Sequence, residues 1–338
     1  MEKQSKKIAV LILNWNGVKL LETYLPNVVK YNSSEAEIII VDNASDDNSI
    51  LFLQNTFPNL KRIEFKENYG FAKGYNKAIN LITHKYVVLL NSDVRVTENW
   101  LQAPIEFLNS NTDYAACQPK ILDDKTPLKF EYAGACGGYI DTLGYPFCRG
   151  RIFKILEDDY GQYDQIKDIF WASGAALFTR REVYLKLGGL DESFFAHQEE
   201  IDLCWRILNE GHKIACIPQS TVYHLGGASL DKSLPKKTFL NFRNNLVMLL
   251  KNLPSHALPI IFIRLVLDGL AGIKFITEGK IIHTFAILKA HISFYLKIPS
   301  TIIKRRKTAA ISSEIKYKGS ILTDYYLKGN KRFNDLNW

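Results

Sequence analysis

The chain has 338 residues, of which 47% are hydrophobic and 23% charged, and this composition excludes an intrinsically disordered protein. The formal net charge of +8 is unevenly distributed, because residues 1–231 hold 24 Lys and Arg against 30 Asp and Glu, whereas residues 232–338 hold 19 against 5. The five cysteines form no CxxC pair and no set with zinc spacing, which predicts reduced thiols in a cytoplasmic setting.

The first 115 residues alternate between strand-like and helix-like segments. The N-terminal apolar run, Ile8–Leu13, is too short for a signal-peptide core and is interpreted as a first strand. Strands are predicted at 8–13, 37–42, 61–65 and 85–90. Helices are predicted near 18–30, 46–57, 71–82 and 98–109. This alternation predicts parallel strands joined by crossover helices, with ligands bound beyond the carboxyl ends of the strands.

Residues 116–170 are irregular and rich in Gly, Tyr and Asp, and no element is predicted there. Thr179 and Glu182 have the spacing of a capping box and predict a short helix that ends at Gly188. A second helix is predicted near 198–210 and a strand at 214–217. The buried side of that second helix is predicted to carry Ile201, Cys204, Trp205 and Leu208.

Residues 253–303 contain long apolar clusters interrupted by charged residues, such as Arg264 and Lys280. No uncharged span reaches 18 residues, which argues against a transmembrane helix. The first interpretation is a set of helices in the membrane interface, with Lys304–Lys307 facing lipid headgroups. The alternative is a helical subdomain packed on the core or on a second subunit.

Two carboxylates end neighbouring predicted strands, Asp42 in VDNASDD and Asp93 in LLNSDV. A single Asp after a strand is usually a turn residue. A pair at neighbouring strand ends suits one ligand, because one carboxylate can accept hydrogen bonds from a base or sugar while the other holds a divalent cation that bridges to phosphate oxygens.

The segment NYGFAKGYN lies at the start of the third predicted helix. Asn68, Gly70 and Asn76 are placed to let the backbone approach a ligand, and Lys73 is available for a phosphate near the helix N-terminus. Turn geometry alone is the alternative explanation of the glycines. Neither GxGxxG after the first strand nor GxxxxGK[ST] is present, which argues against nicotinamide and P-loop nucleotide binding.

Six segments occur in the order and spacing of family 2 glycosyltransferases, and the chain most resembles the bacterial rhamnosyltransferase-type branch that builds surface polysaccharides. They are VLILNWNG, VDNASDD, NYGFAKGYN, LLNSDV, WASGAALFTRREVYLKLGGLDESFFAHQEEIDLCWR and YHLGGAS, within roughly residues 6–250. The resemblance implies an α/β fold of the GT-A type, with a mostly parallel central sheet flanked by helices. It implies a catalytic domain over 1–250, with residues 251–338 as a basic, apolar helical appendage.

The resemblance also implies roles for residues on the donor side. Asp42 matches the acid that contacts the nucleotide base, and Asp93 matches the last acid of the DXD motif, a metal ligand. Asn91 stands where the first Asp of that motif often lies, which leaves the number of protein ligands open. His224 matches a histidine of the metal or diphosphate site, with a structural role as the alternative. The predicted donor residues are Asn14, Asn16, Asp42, Asn43, Asn68, Gly70, Lys73, Asn76, Asn91, Ser92, Asp93 and Arg243.

On the acceptor side, HQEEIDLCWR resembles the ED motif, whose Asp is the catalytic base. That position is Glu200 here, and Glu199 is the alternative base. Acids in the first turn of a helix also favour its dipole whatever their function, and Asp202 is interpreted in that way or as a brace for Arg206. The sugar and acceptor pockets are predicted to involve the aromatic rings and turn residues Trp171, Gly174, Asp191, Phe194 and Phe195.

The implied function is inverting transfer of a sugar from a nucleotide-diphospho-sugar, a dTDP- or UDP-sugar, to a hydroxyl of a glycan acceptor on a lipid carrier. The implied cofactor is Mn²⁺ or Mg²⁺, and the implied location is cytoplasmic, on the inner face of the cytoplasmic membrane, against its anionic surface. Nucleic acid is not an expected partner, because the basic C-terminal region is aliphatic and the N-terminal half is acidic. The alternatives are a sugar nucleotidyltransferase, whose Gly/Arg-rich loop is missing, and a non-catalytic sugar-nucleotide or partner-binding protein of the same fold.

Overall fold

A computed structural model of the protein describes residues 6–226, 234–305 and 314–338. Its strands are β1 Ile8–Asn14, β2 Ala36–Asp42, β3 Lys61–Glu64, β4 Tyr86–Leu90, β5 Val94–Val96, β6 Tyr114–Asp123, β7 Gly138–Ile140, β8 Pro146–Cys148, β9 Arg151–Ile152, β10 Ile155–Leu156, β11 Lys167–Asp168, β12 Ala176–Arg180 and β13 Lys213–His224. Its longer helices are α1 Val18–Lys30, α2 Ser49–Thr56, α3 Gly70–Asn80, α4 Gln102–Ser110, α5 Arg181–Lys186, α6 Glu199–Asn209, α7 Pro235–Asn252, α8 Pro259–Thr277 and α9 Ile281–Lys304.

In the described residues the central sheet has nine strands, in the order β11-β13-β6-β12-β4-β1-β2-β3, with β5 paired to the end of β13. Strands β1 to β4, β6 and β13 run in one direction, and β5, β11 and β12 run against them. Alternate residues of β1 enter two separate apolar cores, because Ala9 and Leu11 join one and Ile8 and Val10 join the other. The sheet is therefore covered on both faces, as the continuous apolar strands predict.

The predicted elements of the N-terminal half are confirmed, with end points shifted by a few residues. The predicted capping box is wrong: Thr179 lies in β12, where its hydroxyl donates to the Ala115 carbonyl, and helix α5 has Arg180 as its N-cap without a side-chain cap. The helix predicted near 198–210 is α6, with its four predicted apolar residues buried. The region without prediction, 116–170, contributes β6 and a small antiparallel sheet of β7 to β10.

The described C-terminal residues pack on the rest of the protein. Helix α7 contacts α6, α8 and α9. Residues 314–338 return to the small sheet, where the rings of Trp338 and Phe333 lie 5.0 Å from that of Tyr139. The boundary expected between residues 250 and 251 stays a prediction. All five cysteines are free and buried, in agreement with the prediction of reduced thiols.

One helix in the described part of the chain, α9, has the length and apolar composition that could cross a membrane, with a mean hydropathy of 1.2. The sequence analysis did not expect a helix that meets this criterion. Residues spaced along one side of α9, from Ala286 to Thr301, are buried against the protein, so this helix is amphipathic in its packing. The Lys304 ammonium lies 2.7 Å from the Asp191 carboxylate, and its predicted contact with lipid headgroups stays a prediction. Arg306 and Lys307 lie outside the described residues.

Candidate active site at the carboxyl edge of the sheet

The ends of β1 and β2 bring Asn14 and Asp42 together, because the two strands are parallel and these residues are register partners. The Asn14 amide donates to Asp42 Oδ1 at 3.0 Å. The backbone N–H of Ser45 donates to Asp42 Oδ2 at 2.9 Å, and its hydroxyl donates to Oδ1 at 2.6 Å. Asn14 Oδ1 is buried beside Gly17 and has no hydrogen-bond partner among the described residues, so this edge holds an acceptor whose bonding capacity is unused.

The residues after β1 form a rigid turn that continues this edge. Asn16 has a positive φ of 51°, its N–H donates to Ser45 Oγ, and its side-chain oxygen accepts from the Asp46 N–H. Trp15, between the two asparagines, is 58% exposed. Trp15 is not among the site residues predicted from the sequence, although an exposed Trp immediately after a buried strand is itself a signal of binding.

The loop before α3 is held by Asn43 and does not leave that side chain free. Asn43 Oδ1 accepts from the Tyr69 N–H, and its amide donates to Asn68 Oδ1 and to the Gly70 carbonyl. Lys73 lies with its ammonium 4.6 Å from the centre of the Tyr69 ring. Asn43 and Asn68 therefore position the N-terminus of α3, at whose start Gly70 has a φ of +73°.

Strand pairing brings Asp93 and His224 together, although 131 residues separate them in the sequence. His224 is the register partner of Val94, so its ring lies beside Asp93, with Nε2 3.1 Å from Asp93 Oδ1. Asn91 Nδ2 lies 3.4 Å from the same ring nitrogen, and Ser92 lies half-buried between the two strand-end residues. The fold thus brings Asn91, Asp93 and His224 together at the end of β4, and their role in binding stays a prediction.

Glu131, which the sequence analysis missed, lies on the other side of the His224 ring, with Oε1 3.3 Å from Nδ1. Burial lowers the pKa of His224, but the carboxylates of Glu131 and Asp93 outweigh it and raise the pKa to about 10 in the metal-free protein. A carboxylate on the second ring nitrogen is the usual way of orienting a metal-binding histidine.

Asp93 and His224 fit a divalent cation that is shared with a ligand. The described residues contain no group of three His, Cys, Asp or Glu side chains that could hold a metal by themselves. Asp93 Oδ1 and His224 Nε2 would provide only two ligands to a cation, which leaves most of its coordination positions to other donors. Phosphate oxygens are such donors, so the residues present suit a metal–diphosphate complex better than a bare ion.

Glu199 and Glu200 begin α6, and neither Oε2 atom has a hydrogen-bond partner in the described residues. A side chain added at Gly174 would lie 3.8 Å from Glu200 Cβ and 3.6 Å from Phe71 Cζ, so these three residues meet. Burial raises the pKa of Glu200 to about 7. Burial and the charge of Glu200 raise the pKa of Glu199 well above its usual range. Glu200, half-buried, is the better placed of the two to meet a substrate.

The loop before Glu199 has an unusual backbone, with positive φ values at Phe195, His197 and Gln198. Asn244 of α7 holds this loop, since its amide donates to the carbonyls of Phe194, Ala196 and His197. Three non-glycine residues with positive φ need such support, and strained backbone of this kind concentrates at functional sites. Asn244 was missed in the sequence, although it lies in the NFRNN segment that supplied Arg243.

Arg243 serves the same loop. Its guanidinium donates to the Phe194 carbonyl at 2.8 Å and to Asn244 Oδ1, and its side chain is buried. Arg243 is therefore not a surface arginine. The predicted contact with the donor diphosphate remains a prediction, and the observed contacts place Arg243 beside the loop that precedes the glutamates.

Two of the rings predicted to stack on a sugar are buried and have no free face. Trp171 packs over Gly138, where an added side chain would overlap its ring, and its N–H donates to the Tyr139 carbonyl. Phe194 is 1% exposed, whereas Phe195 is 51% exposed and lies against Gly70. Phe195 alone of the three can offer a ring to a ligand.

Two further predicted site residues have their polar atoms occupied by the protein. The Asp191 carboxylate accepts from Lys251 and Lys304 at 2.7 Å each, and these cations outweigh burial and hold its pKa well below the usual range. The Asn76 amide is bonded to the Leu190 backbone and to Tyr184. Both residues brace the 188–193 turn, so neither has a free group for the donor or acceptor. Asp202 braces Arg206 at 2.9 Å, as predicted.

Comparisons with known proteins identify the family of this chain. A model of the family described as glycosyl transferase family 2 matches residues 9–182, just over half of the chain. The hexosyltransferase Agl10 of low-salt glycan biosynthesis from Haloferax volcanii is 23% identical over 245 residues, 70% of this chain and 73% of that protein. The N-acetylglucosaminyl-diphospho-decaprenol L-rhamnosyltransferase of Mycobacterium tuberculosis is 22% identical over 235 residues, 64% of this chain and 75% of that protein.

A solved structure shows the same fold. The mannosyltransferase PcManGT from Pyrobaculum calidifontis, in complex with GDP-Man and Mn²⁺, matches with a TM-score of 0.53. The match covers 87% of this chain and 88% of the mannosyltransferase, at 14% identity. At that identity the likeness establishes the fold and nothing about the ligands of this chain.

Proposed function

Because the chain belongs to glycosyl transferase family 2, and is therefore a glycosyltransferase of the GT-A fold, we propose that it transfers a sugar from a nucleotide-diphospho-sugar to a glycan hydroxyl with inversion. The observation that carries this proposal is the line of groups along one sheet edge. Asn14 and Asp42 lie at the ends of β1 and β2, and the Asp93–His224 pair lies beyond the adjacent β4. A nucleotide diphosphate likewise has a base at one end and a charged diphosphate at the other, so the two groups of residues can bind its two ends.

The donor is held by its base and its diphosphate in this proposal. The unpartnered Asn14 Oδ1 and the Asp42 carboxylate accept hydrogen bonds from the base or ribose, and the exposed Trp15 ring offers a stacking surface. Asp93 and His224 would hold Mn²⁺ or Mg²⁺ together with the diphosphate. A metal bound there would supply charge neutralisation to the departing diphosphate.

Glu200 acts as the general base. Its carboxylate removes the proton of the acceptor hydroxyl as that oxygen forms a bond to the anomeric carbon and the bond from this carbon to the β-phosphate oxygen breaks. The products are the extended glycan and a nucleotide diphosphate, and the proton is on Glu200. Oε2 of Glu200 is buried and has no protein partner in the described residues, so the carboxylate of this half-buried residue has unused bonding capacity.

The acceptor is proposed to be a glycan on a lipid diphosphate, and the reaction a step of polysaccharide synthesis. The Mycobacterium tuberculosis relative is named for a diphospho-decaprenol acceptor and a rhamnosyl donor, and the Haloferax volcanii relative for glycan biosynthesis. A dTDP- or UDP-sugar donor follows the rhamnosyltransferase-like resemblance. Free, buried cysteines agree with a cytoplasmic enzyme.

Helices α8 and α9 carry an apolar surface that supports peripheral attachment to the inner face of the cytoplasmic membrane. Both helices present large side chains to solvent along one stripe, and such a surface exceeds what a soluble monomer usually exposes. The exposed residues are Phe262, Ile263, Val266, Leu270, Ile273, Ile276, Ile281, Ile282, Phe285, Leu288, Ile292, Tyr295, Leu296, Ile302 and Ile303. We call this set the apolar face.

Nucleotide binding tests the donor half of the proposal. In a calorimetric panel of dTDP, UDP and GDP, each with and without Mn²⁺ or Mg²⁺, we expect one nucleotide to bind at least tenfold more tightly with metal than without. The metal should raise affinity because it joins the diphosphate to Asp93 and His224. Failure of all three diphosphates to bind under any condition would contradict the proposal and favour a non-catalytic relative of the same fold.

Vesicle binding tests the membrane half. Replacing Leu270 by Glu should lower co-sedimentation of the full chain with phosphatidylglycerol vesicles by roughly tenfold, since it removes one buried leucine from the membrane contact. The matched control is Leu51→Glu on α2, because the exposed fractions of the two leucines are 56% and 54%. If both variants bind vesicles as the parent does, or lose binding equally, the apolar face is not the membrane contact.

A further inference from the structure

We infer that a groove between α7 and α9 binds the lipid diphosphate of the acceptor. This inference rests on the proposed function, because it assigns a place to the lipid-linked acceptor of that reaction. The groove has a volume of about 670 Å³, and six of its lining residues carry the argument. They are Phe195, Lys236, Phe239, Arg243, Phe285 and Lys289. We call it the α7–α9 groove.

The α7–α9 groove reaches both the candidate active site and the apolar face. Phe195, at one wall, belongs to the strained loop that leads into Glu199 and Glu200, and its ring lies against Gly70 on the donor side. Ile282 and Phe285, at another wall, belong to the apolar face and are 63% and 62% exposed. A lipid that leaves a bilayer touching the apolar face therefore enters this groove on its way to Glu200.

The charge of the α7–α9 groove suits an anion. Lys236, Arg243 and Lys289 line it, and none of its lining residues is acidic. In the described part of the chain neither lysine has a carboxylate within 4.0 Å. The ammonium of Lys236 instead lies 4.8 Å from the centre of the Phe195 ring, and that of Lys289 lies 5.7 Å from the centre of the Phe239 ring.

Apolar walls with three cations fit an anionic amphiphile, since rings accept the chain and the cations accept the phosphates. A diphosphate concentrates more negative charge in a small volume than the single phosphodiester of a phospholipid. Arg243 also bonds to the Phe194 carbonyl, so an anion beside its guanidinium lies next to the loop that orients the glutamates. A sugar attached to that diphosphate would extend past Phe195 towards Glu200.

The test uses farnesyl diphosphate below its micelle concentration, with the donor site first filled by saturating nucleotide diphosphate and Mn²⁺. We expect calorimetric binding to the full-length parent, with inorganic pyrophosphate and farnesol each binding at least tenfold more weakly. Lys289→Gln should weaken farnesyl diphosphate binding about tenfold, because one of three cations is lost. The matched control is Lys274→Gln on α8, whose ammonium lies 5.0 Å from the Tyr326 ring centre and outside the α7–α9 groove.

Three results would overturn the inference. The first is that farnesyl diphosphate does not bind, and the second is that Lys289→Gln and Lys274→Gln bind it equally well. The third is that binding to phosphatidylglycerol vesicles depends on Lys289 as strongly as binding of farnesyl diphosphate does, which would make the α7–α9 groove a phospholipid site. Each leaves the proposed function standing if a nucleotide diphosphate still binds with metal. If the parent binds no nucleotide diphosphate, this result would instead contradict the proposed function itself.

Discussion

Replacing Glu200 by Gln is expected to lower kcat by roughly 10²- to 10⁴-fold while nucleotide affinity stays within twofold of the parent. Gln keeps the shape of the side chain beside Gly174 and Phe71 but cannot take the proton of an acceptor hydroxyl. Because the proposed donor groups lie at the ends of β1 and β2, after β4 and on β13, and not on α6, nucleotide binding measured by calorimetry should not change. A folded, nucleotide-binding Glu200→Gln protein that transfers sugar at the parent rate would show that Glu200 is not the base.

The pH dependence of kcat should also identify Glu200 as the base. Burial raises the pKa of Glu200 to about 7, and a general base works only in its ionised form. The parent kcat should therefore be constant above about pH 8 and fall roughly tenfold for each pH unit below about pH 6. The residual activity of Glu200→Gln should lack this dependence. A parent profile that is flat from pH 5 to 8 would contradict the assignment.

Glu199→Gln is the matched control, because Glu199 is the adjacent acid in the same helical turn. Burial and the charge of Glu200 raise the pKa of Glu199 well above its usual range, which makes Glu199 the weaker candidate for an ionised base. Glu199→Gln should therefore change kcat only several-fold. A larger loss in Glu199→Gln than in Glu200→Gln would exchange the two roles.

The N-terminal half could be predicted from the sequence because its determinants are local. Strands β1, β2 and β4 are runs of mostly apolar residues that end on or just before a polar one, and helices alternate with the first four strands, so the pattern predicts the sheet edge. Asp42 and Asp93 are predicted to lie there on that ground. Neighbouring parallel strands then bring their ends together without further information.

The remainder depends on pairs that are distant in sequence. Glu131 reaches His224 and Asn244 reaches His197 only after the chain has folded, and no periodicity marks either pair. The partners of Asp191 lie 60 and 113 residues further along the chain, so a carboxylate in a turn was assigned to a pocket when it belongs to an ion cluster. Short strands such as β9 and β10 cannot be predicted from the sequence either, because two residues show no hydrophobic periodicity.

Burial of aromatic residues was the other source of error. Trp171 precedes a Gly-containing turn, as a sugar-stacking residue could, but Gly138 on β7 leaves a space that its ring fills. The exposed Trp15 has the opposite environment, although both tryptophans adjoin strand-like sequence. Whether a ring is covered depends on the size of a residue on another strand, which the local sequence does not contain.

Asp93→Asn should abolish the metal-dependent part of nucleotide diphosphate binding. The variant keeps the size of the side chain and a hydrogen bond to His224, but it removes the charged oxygen that lies 3.1 Å from His224 Nε2. Loss of an outer-shell partner typically costs about 10- to 100-fold in metal affinity, so loss of the carboxylate ligand should cost at least about 100-fold. Titration of Mn²⁺ into the nucleotide-saturated protein measures this directly.

Asp42→Asn is the control for that variant, since it makes the same isosteric change at a neighbouring strand end. Asp42 accepts hydrogen bonds from Asn14 and Ser45 and is proposed to contact the base, so its loss should weaken nucleotide binding to a similar extent with and without Mn²⁺. In Asp93→Asn the ratio of the nucleotide affinity with Mn²⁺ to the affinity without Mn²⁺ should fall to about one. If Asp93→Asn retains the parent ratio, the metal is held elsewhere, and the separation of base and diphosphate along this sheet edge is wrong.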